Sequence, residues 1–248
     1  MDPKAERLER LAGGLFIWIS DADGFGSDAF LLADFARPRG GSLVCDLGAG
    51  CGIIPLLLLR AVFAPERITA VELRPEAVRL MRRTAEQNGL RDRLCPICAD
   101  LRDPAAIPDA GRYELVTCNP PYFARDTGYT APDPARLTAR HEVSCTVDDV
   151  CTCAARLLKY GGRLCMCHRP ERLPDVLEAL RRHGLEPKRI RFVQQREGAA
   201  PWLFLVEGKK GGRPSLAFLP PLTVESPAGG FSDQMKRIYS LEQDAARA

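Results

Sequence analysis

The sequence has no long apolar run and little net charge. None of its 248 residues lies in a stretch that approaches the roughly 20 apolar residues needed to span a membrane. The charged N-terminal segment also lacks the apolar region of a secretory signal. We therefore expect a cytoplasmic protein with no membrane partner. Because the formal net charge is only +3, bulk charge does not predict nucleic-acid binding, and any basic binding surface must be local.

A recognisable set of metal ligands is also missing, although the chain has ten cysteines. Cys95 and Cys98 have the spacing of a zinc-ligand pair, but no second CxxC or HxxxH pair accompanies them. We therefore expect no metal. Other cysteines lie in apolar runs typical of core strands, which predicts buried, reduced thiols. These residues are Cys45, Cys118, Cys165 and Cys167.

Strand and helix patterns alternate from residue 42 to residue 183. This alternation predicts an α/β fold with a mostly parallel sheet and right-handed crossovers. Ahead of it, Ser27 and Asp28 are suitable N-caps for an apolar helix that ends before Pro38. That helix either packs on the core or forms a lid over a cofactor. The sequence does not specify an oligomeric state and is consistent with a monomer.

A glycine-rich turn follows the first strand of this alternating region. The strand, residues 42–47, leads into Gly48-Ala49-Gly50-Cys51-Gly52 and then into an apolar helix. Glycines let the backbone pass close to a ligand at a helix N-terminus. Ile53 occupies the place of the third glycine of a dinucleotide-binding loop, and Asp46 precedes the turn. A carboxylate there repels a pyrophosphate and attracts an ammonium group, which favours S-adenosylmethionine.

Acidic residues end the next two strands. Glu72 lies about 20 residues after Gly52, where a carboxylate is placed to accept both hydroxyls of a ribose. Asp100 follows the next strand, and its carboxylate is suited to accept an adenine amino group. Each acid alone is more often a solvated strand end or a helix cap. Together with Asp46 and the glycine turn, they indicate a cofactor site.

A rigid turn ends the following strand with the residues Asn119-Pro120-Pro121-Tyr122-Phe123. Each proline disfavours helix at the residue before it, so the amide of Asn119 is held at the carboxyl end of its strand, where open α/β sheets bind ligands. The Asn119 side-chain oxygen and the Pro120 carbonyl are suited to accept both N–H bonds of a planar amine. Tyr122 can then stack on the ring and Phe123 can wall the pocket. An ordinary proline turn is the alternative.

The next segment, as far as Cys145, shows no clear periodicity. A loop of this length is usually functional or disordered. Arg125 and Arg140 are candidates for phosphate contacts, and Tyr129 is a candidate for stacking on a base. A solvated loop is the alternative, because acidic residues partly offset the arginines.

These motifs together resemble the class I S-adenosylmethionine-dependent methyltransferases that carry an NPPY motif and methylate amino groups. The resemblance covers about residues 24–206. It implies a Rossmann-like, seven-stranded, mostly parallel sheet with helices on both faces and an antiparallel last strand. It also implies a methyltransferase domain over 42–207, between an N-terminal segment with a capping helix (1–41) and a C-terminal arm (208–248).

Within that class, Gly24–Asp28, Cys51–Leu56 and Ala139–Glu142 are most similar to bacterial enzymes that methylate adenine N6 in the anticodon loop of a valine tRNA. The resemblance implies S-adenosylmethionine as cofactor and tRNA, or another RNA, as partner. It implies cofactor contacts from Asp46, Gly48, Gly50, Gly52, Glu72, Asp100 and Asn119. It implies catalysis by Asn119, Pro120, Pro121 and Tyr122, and substrate contacts from Tyr122, Phe123, Arg125 and Arg140.

Three alternatives stay open. A glutamine-N5 methyltransferase of release factors also presents a planar amide to NPPY, but such enzymes usually carry a helical domain ahead of the glycine turn, and only about 40 residues precede it here. A ribosomal RNA guanine-N2 methyltransferase keeps the same chemistry on another base. A non-catalytic RNA-binding module is the alternative of a different class, and the intact Asn119 argues against it.

Overall fold

The computed structural model describes residues 5–21, 24–61, 63–120 and 145–240. The first part of the chain forms β1 (Glu6–Arg10), β2 (Phe16–Ser20), α1 (Ser27–Ala36), β3 (Leu43–Leu47), α2 (Ile53–Leu59), β4 (Arg67–Glu72), α3 (Pro75–Gln87), β5 (Leu94–Cys98) and β6 (Tyr113–Cys118). The second part forms α4 (Val147–Leu157), β7 (Leu158–His168), α5 (Leu173–Arg182), β8 (Leu185–Gln194), β9 (Pro201–Lys210), β10 (Ala217–Phe218), β11 (Leu222–Thr223) and α6 (Asp233–Ser240).

The central sheet contains the long strands in the order β5-β4-β3-β6-β7-β9-β8. Neighbouring strands are parallel except at β9, which runs antiparallel to both β7 and β8. The predicted Rossmann-like sheet with an antiparallel last strand is therefore confirmed. Two short strands, β10 and β11, pair in parallel with β8 and extend that side of the sheet.

Helices cover both faces of this sheet, because alternate strand side chains point in opposite directions. Val44 and Leu115 pack in one cluster with α1, α2, α3 and α6. Cys45 and Val116 pack in a second cluster with α4 and α5. The predicted buried thiols of Cys45, Cys118, Cys165 and Cys167 are confirmed, and none of the ten cysteines is in a disulfide.

The N-terminal hairpin is fixed to α3 by polar contacts. The backbone N–H of Trp18 donates to the Thr84 hydroxyl at 3.0 Å, and the N–H of Phe16 donates to Oδ1 of Asn88 at 3.0 Å. The C-terminal arm contributes Met235 of α6 to the same apolar cluster as β2. The division into three segments stays a prediction.

Two strands are longer than the sequence pattern indicates. The sequence pattern predicts a strand over residues 201–206 and a basic turn over residues 209–213. β9 nevertheless continues through Lys209 and Lys210, because Lys209 pairs with both β7 and β8. The pattern also predicts a strand from Arg163 to His168, whereas β7 begins earlier, at Leu158. A side chain at Gly162 would place its Cβ 2.9 Å from the carbonyl oxygens of Lys159 and Tyr113, so the backbone passes there only because the residue is glycine.

Neither a membrane-spanning helix nor a metal-binding cluster occurs in the parts of the chain that the structure describes. None of the helices there has the length and apolar composition needed to cross a membrane. The same residues contain no cluster of three or more His, Cys, Asp or Glu side chains that is suited to hold a metal ion.

Candidate active site

The candidate residues meet at the carboxyl edge of four adjacent strands. The strand registers pair Leu47 with Cys118 and with Val71, and Glu72 with Cys98. Asn119 after β6, the glycine turn after β3, Glu72 at the end of β4 and Asp100 after β5 therefore share one edge. This is the edge at which open α/β sheets bind ligands.

The glycine turn is tied to the next strand. Gly50 and Gly52 have φ values of 56° and 84°, a backbone region that other residues rarely adopt. The N–H of Gly50 donates to Oε2 of Glu72 at 2.9 Å. A Cβ on Gly52 would lie 2.6 Å from Cγ of Met81, so α3 also requires glycine there. The turn is held close to the carboxylate that ends β4.

Glu72 is only 7% exposed, and its carboxylate is already hydrogen-bonded. Oε1 accepts from the backbone N–H and from Nε of Arg74, both at 3.0 Å. The Arg74 side chain is 46% exposed, so its guanidinium has room to move when a ligand approaches. The carboxylate thus supports the glycine turn with three of its roughly four acceptor positions occupied, which leaves one for a hydroxyl ligand and more when Arg74 moves away.

Asp46, in the strand that leads into the turn, has a buried carboxyl group and is 1% exposed. The Thr117 hydroxyl donates to its Oδ1, whereas its Oδ2 is buried with no partner among the described residues. Burial raises the pKa of Asp46 to about 7, and the charge of Glu72 adds to this increase while the Thr117 hydrogen bond opposes it. An orphaned carboxylate oxygen is costly until a donor reaches it, so this position fits a ligand ammonium group.

Asp28 and Cys167 both contact the Asn119 amide. Its Nδ2 donates to Oδ2 of Asp28 at 2.9 Å, and the Cys167 thiol donates to its Oδ1 at 3.1 Å. A carboxylate accepts hydrogen bonds and does not donate them, so Asp28 fixes which end of the amide is nitrogen. A carbonyl oxygen has two lone pairs and can accept hydrogen bonds from two donors at once.

Asp100 is held differently from the other two acids. Both of its oxygens accept from the guanidinium of Arg102, with Nε to Oδ1 at 2.9 Å and Nε to Oδ2 at 3.0 Å. These hydrogen bonds lower the pKa of Asp100. A ligand amine would therefore have to displace Arg102 to reach the carboxylate.

The predicted catalytic turn is described only at its start. Asn119 is half-buried and Pro120 is buried. Pro121, Tyr122, Phe123, Arg125 and Arg140 lie outside the described residues.

The structure adds three polar residues that the sequence patterns do not assign to the site: Asp28, Thr117 and Cys167. Thr117 is the one with a sequence signal, since a threonine directly before Cys118 and Asn119 is a polar residue in an apolar strand. The sequence predicts Asp28 only as a helix cap. That prediction is wrong, because the N-cap of α1 is Gly26, without a side-chain cap hydrogen bond. Oδ1 of Asp28 accepts from the N–H of Ala29 at 3.0 Å, while its Oδ2 accepts from Asn119.

The sheet order, the glycine turn and the acidic strand ends define the class I S-adenosylmethionine-dependent methyltransferases. The chain belongs to the methyltransferase small domain family, whose model matches residues 22–182. The family and the cofactor that the motifs predict are thereby confirmed.

The chain is similar in sequence to curated methyltransferases that act on a specific tRNA. The chain is 32% identical over 181 residues to a tRNA1(Val) (adenine(37)-N6)-methyltransferase of Tolumonas auensis, a match that covers 73% of this chain and 74% of the relative. It is 33% identical over 186 residues to the protein of the same name from Shewanella amazonensis, covering 75% and 77%. A crystal structure of a predicted O-methyltransferase from Agrobacterium tumefaciens superposes with a TM-score of 0.69 at 23% identity, covering 86% and 96%. At that identity the superposition supports the fold alone.

Proposed function

We propose that this chain transfers a methyl group from S-adenosylmethionine to the exocyclic N6 amino group of an adenine in a tRNA anticodon loop. The observation that carries the proposal is the Asn119 amide, whose nitrogen is fixed by Asp28 and whose oxygen lies on the same edge as the glycine turn. The names of the curated relatives, which specify adenine N6 of a valine tRNA, support the same substrate.

The cofactor is held by the groups at the carboxyl edge. Asp46 binds the ammonium group, and the glycine turn lets the backbone approach the ligand. Glu72 accepts hydrogen bonds from the ribose hydroxyls, and Asp100 accepts a hydrogen bond from the adenine amine. When bound, S-adenosylmethionine supplies an electrophilic methyl group on a sulfonium. The chain contributes alignment of the two reactants, which lowers the entropic part of the barrier.

The amine must be made nucleophilic, because its lone pair is delocalised into the adenine ring. Oδ1 of Asn119 and the carbonyl of Pro120 accept its two N–H bonds and draw the nitrogen toward tetrahedral geometry. No strong base is required, since the alkylated nitrogen is acidic and releases its proton to Asn119 or to water. Unstacking the base costs a few kcal/mol, and stacking on Tyr122, worth about 1–3 kcal/mol, offsets much of it.

A parallel assay on three substrates separates the RNA candidates from the release-factor alternative. Unmodified tRNA, ribosomal RNA and release factor, incubated in parallel with methyl-labelled cofactor, separate the candidates. We expect label in tRNA, and label only in either of the others would refute the proposed substrate.

Binding of S-adenosylhomocysteine separates an enzyme from a non-catalytic RNA-binding module. We expect heat release and a thermal shift on titration. Absence of both in a folded sample would favour the module.

Glu72→Gln should lower the affinity for the cofactor and leave RNA binding unchanged. A carboxylate accepts from two hydroxyls at once, whereas an amide offers one oxygen, so we expect a loss of about 1.5–3 kcal/mol, or roughly ten- to hundredfold in affinity. Calorimetric titration with S-adenosylhomocysteine measures it. Glu76→Gln, which removes an exposed carboxylate at the start of α3, is the control. Equal affinity in Glu72→Gln and Glu76→Gln would show the ribose assignment to be mistaken.

Asp46 should make the stability of the ligand-free protein depend on pH. Its folded pKa of about 7 lies above the ordinary value of 3.8, so the folded state prefers the neutral carboxyl. The neutral Asp46 carboxyl therefore contributes its full share to the free energy of unfolding below pH 4. This share is lost as the pH rises through 7, and the loss amounts at most to on the order of 4 kcal/mol. Asp46→Asn should therefore gain stability relative to wild type over this window.

Denaturant unfolding of both proteins at pH 5 and pH 8 provides the measurement, and the difference between the two profiles isolates Asp46 from other titrating groups. S-adenosylhomocysteine should reverse the order at pH 8, because its ammonium group compensates the charged carboxylate in wild type only. If the free energies of unfolding of wild type and Asp46→Asn change with pH in parallel, both with and without ligand, the shifted pKa of Asp46 and its contact with the ammonium group are both excluded.

A further inference from the structure

A strongly basic cavity of about 430 Å³ lies at the amino edge of the sheet, opposite the candidate active site. It includes residues from the start of β6 and β7 and from the end of β9. Its cationic lining residues are Arg37, Arg39, Lys159, Arg163, Lys188, Arg189 and Lys209, and its acidic ones are Glu114 and Glu207. This excess of five positive charges exceeds the net charge of +3 of the whole chain. The rest of the chain therefore has a formal net charge of −2, which is +3 minus +5.

Both acids of the cavity are already engaged. Glu207, which is 6% exposed, accepts from Arg163 at 2.7 Å and from Arg189 at 2.5 Å. Glu114 accepts from Lys159 at 2.5 Å. These pairs build a rigid wall and neutralise the negative charge.

Two exposed cations of the cavity remain available. Arg39 and Lys209 have no acidic partner among the residues that the structure describes. By contrast, Nζ of Lys188 donates to the carbonyl of Arg213 at 2.8 Å and to the Ser215 hydroxyl. The cavity therefore presents two available cations beside a fixed, positively charged wall, which is an arrangement suited to phosphate oxygens.

An exposed aromatic ring adjoins these cations. Tyr160 is 80% exposed and lies between Lys159 and Gly161, both of which line the cavity. Its hydroxyl donates to the carbonyl of Gly211 at 3.2 Å, which fixes the ring over that glycine. Cationic groups together with an ordered aromatic face are typical of a surface that binds nucleic acid.

The cavity is separated from the active site by the length of α1. Asp28 at the start of this helix contacts Asn119, and the carbonyl of Arg37, just after its end, accepts from Arg163 of the cavity wall at 3.1 Å. The ten-residue helix spans about 15 Å. A single nucleotide in the active site does not reach the cavity, whereas a structured RNA extends that far.

We propose that this cavity is a second RNA-binding site, which holds phosphates of the substrate outside the methylated loop. Arg39 and Lys209 bind phosphate oxygens, and Tyr160 packs against an adjacent ribose or base. The inference rests on the proposed function, because it takes the RNA substrate as the ligand. It adds that recognition extends beyond the loop that carries the target base.

The test compares full-length unmodified tRNA with its isolated anticodon stem-loop in the double variant Arg39→Gln/Lys209→Gln. Because this variant removes two cations that bind phosphates, the slope of log K against log salt should become shallower by about 1.4 to 1.8 for full-length tRNA, and affinity near 0.15 M salt should fall on the order of tenfold. Stem-loop affinity and S-adenosylhomocysteine affinity should match wild type. Arg7→Gln/Arg91→Gln, which removes the same charge from exposed positions on β1 and after α3, is the control.

The site is disproved if the double variant binds full-length tRNA as tightly as the control variant. It is also disproved if the stem-loop loses affinity to the same extent, since the contact would then lie within the loop. The proposed function fails separately, if wild-type protein methylates adenine N6 in neither RNA. Binding is measured without turnover, so the two failures are distinguishable.

Discussion

Asn119→Ala should abolish methyl transfer, lowering the single-turnover rate by at least about a hundredfold, while cofactor affinity stays within about tenfold of wild type. The variant removes the oxygen that accepts from the adenine amine, and this contact matters most as the nitrogen becomes tetrahedral. The carboxylates of Asp46 and Glu72 are unchanged by it. Rapid-mixing assays with methyl-labelled cofactor and calorimetry with S-adenosylhomocysteine measure the two quantities.

Cys167→Ala is the matched comparison for this variant. It removes a weak thiol donor to Oδ1 of Asn119 and leaves the amide in place. We expect less than a tenfold change in rate. Near-normal turnover in Asn119→Ala would rule out the proposed mechanism, regardless of the rate measured for Cys167→Ala.

Asp28→Asn should lower kcat about ten- to hundredfold, with little change in KM for RNA or in cofactor affinity. An asparagine at position 28 can donate as well as accept, so it no longer forces the nitrogen of the Asn119 amide toward α1. A loss of this size requires the amide to spend about 90–99% of its time in the flipped state, in which its N–H₂ group faces the substrate amine. The effect falls on kcat because the oxygen is needed most during transfer.

Asp34→Asn is the control for the Asp28 variant, since it removes an acid from the same helix, where Asp34 pairs with the exposed Arg37. Thermal unfolding of both variants checks that α1 remains folded. Unchanged kcat in Asp28→Asn would show that other contacts orient the amide. A loss confined to stability would assign Asp28 a structural role only.

Much of the fold could be predicted because its signals are local. The run from Arg67 to Glu72 is apolar and ends on an acid, and it forms β4 with those bounds. The end of α1 follows from Pro38 and the glycines beyond it, whereas its N-cap is Gly26 and not the predicted Ser27 or Asp28. By contrast, β9 extends through Lys209 because strands on both sides provide hydrogen-bond partners, which no local pattern contains.

The positions of the acids and glycines of the candidate site could be predicted from the sequence, whereas the side-chain contacts that orient the site could not. Asp46, Glu72 and Asp100 each follow an apolar run, so their place at the strand ends could be inferred. The contact of Asp28 with Asn119 joins residues 91 positions apart, and it depends on how α1 packs across the sheet. The engagement of Asp100 by Arg102 could not be predicted either, although only one residue separates them, because spacing does not specify side-chain direction.

The identity of the methylated atom tests most directly whether the site is built around the Asn119 amide. Unmodified tRNA is incubated with the wild-type protein and methyl-labelled S-adenosylmethionine, digested to nucleosides and separated by chromatography. We expect the label in N6-methyladenosine, and its loss with Asn119→Ala. Label in a methylated guanosine, or N6-methyladenosine formed equally well by the Asn119→Ala protein, would contradict a transfer site in which this amide holds the adenine amine.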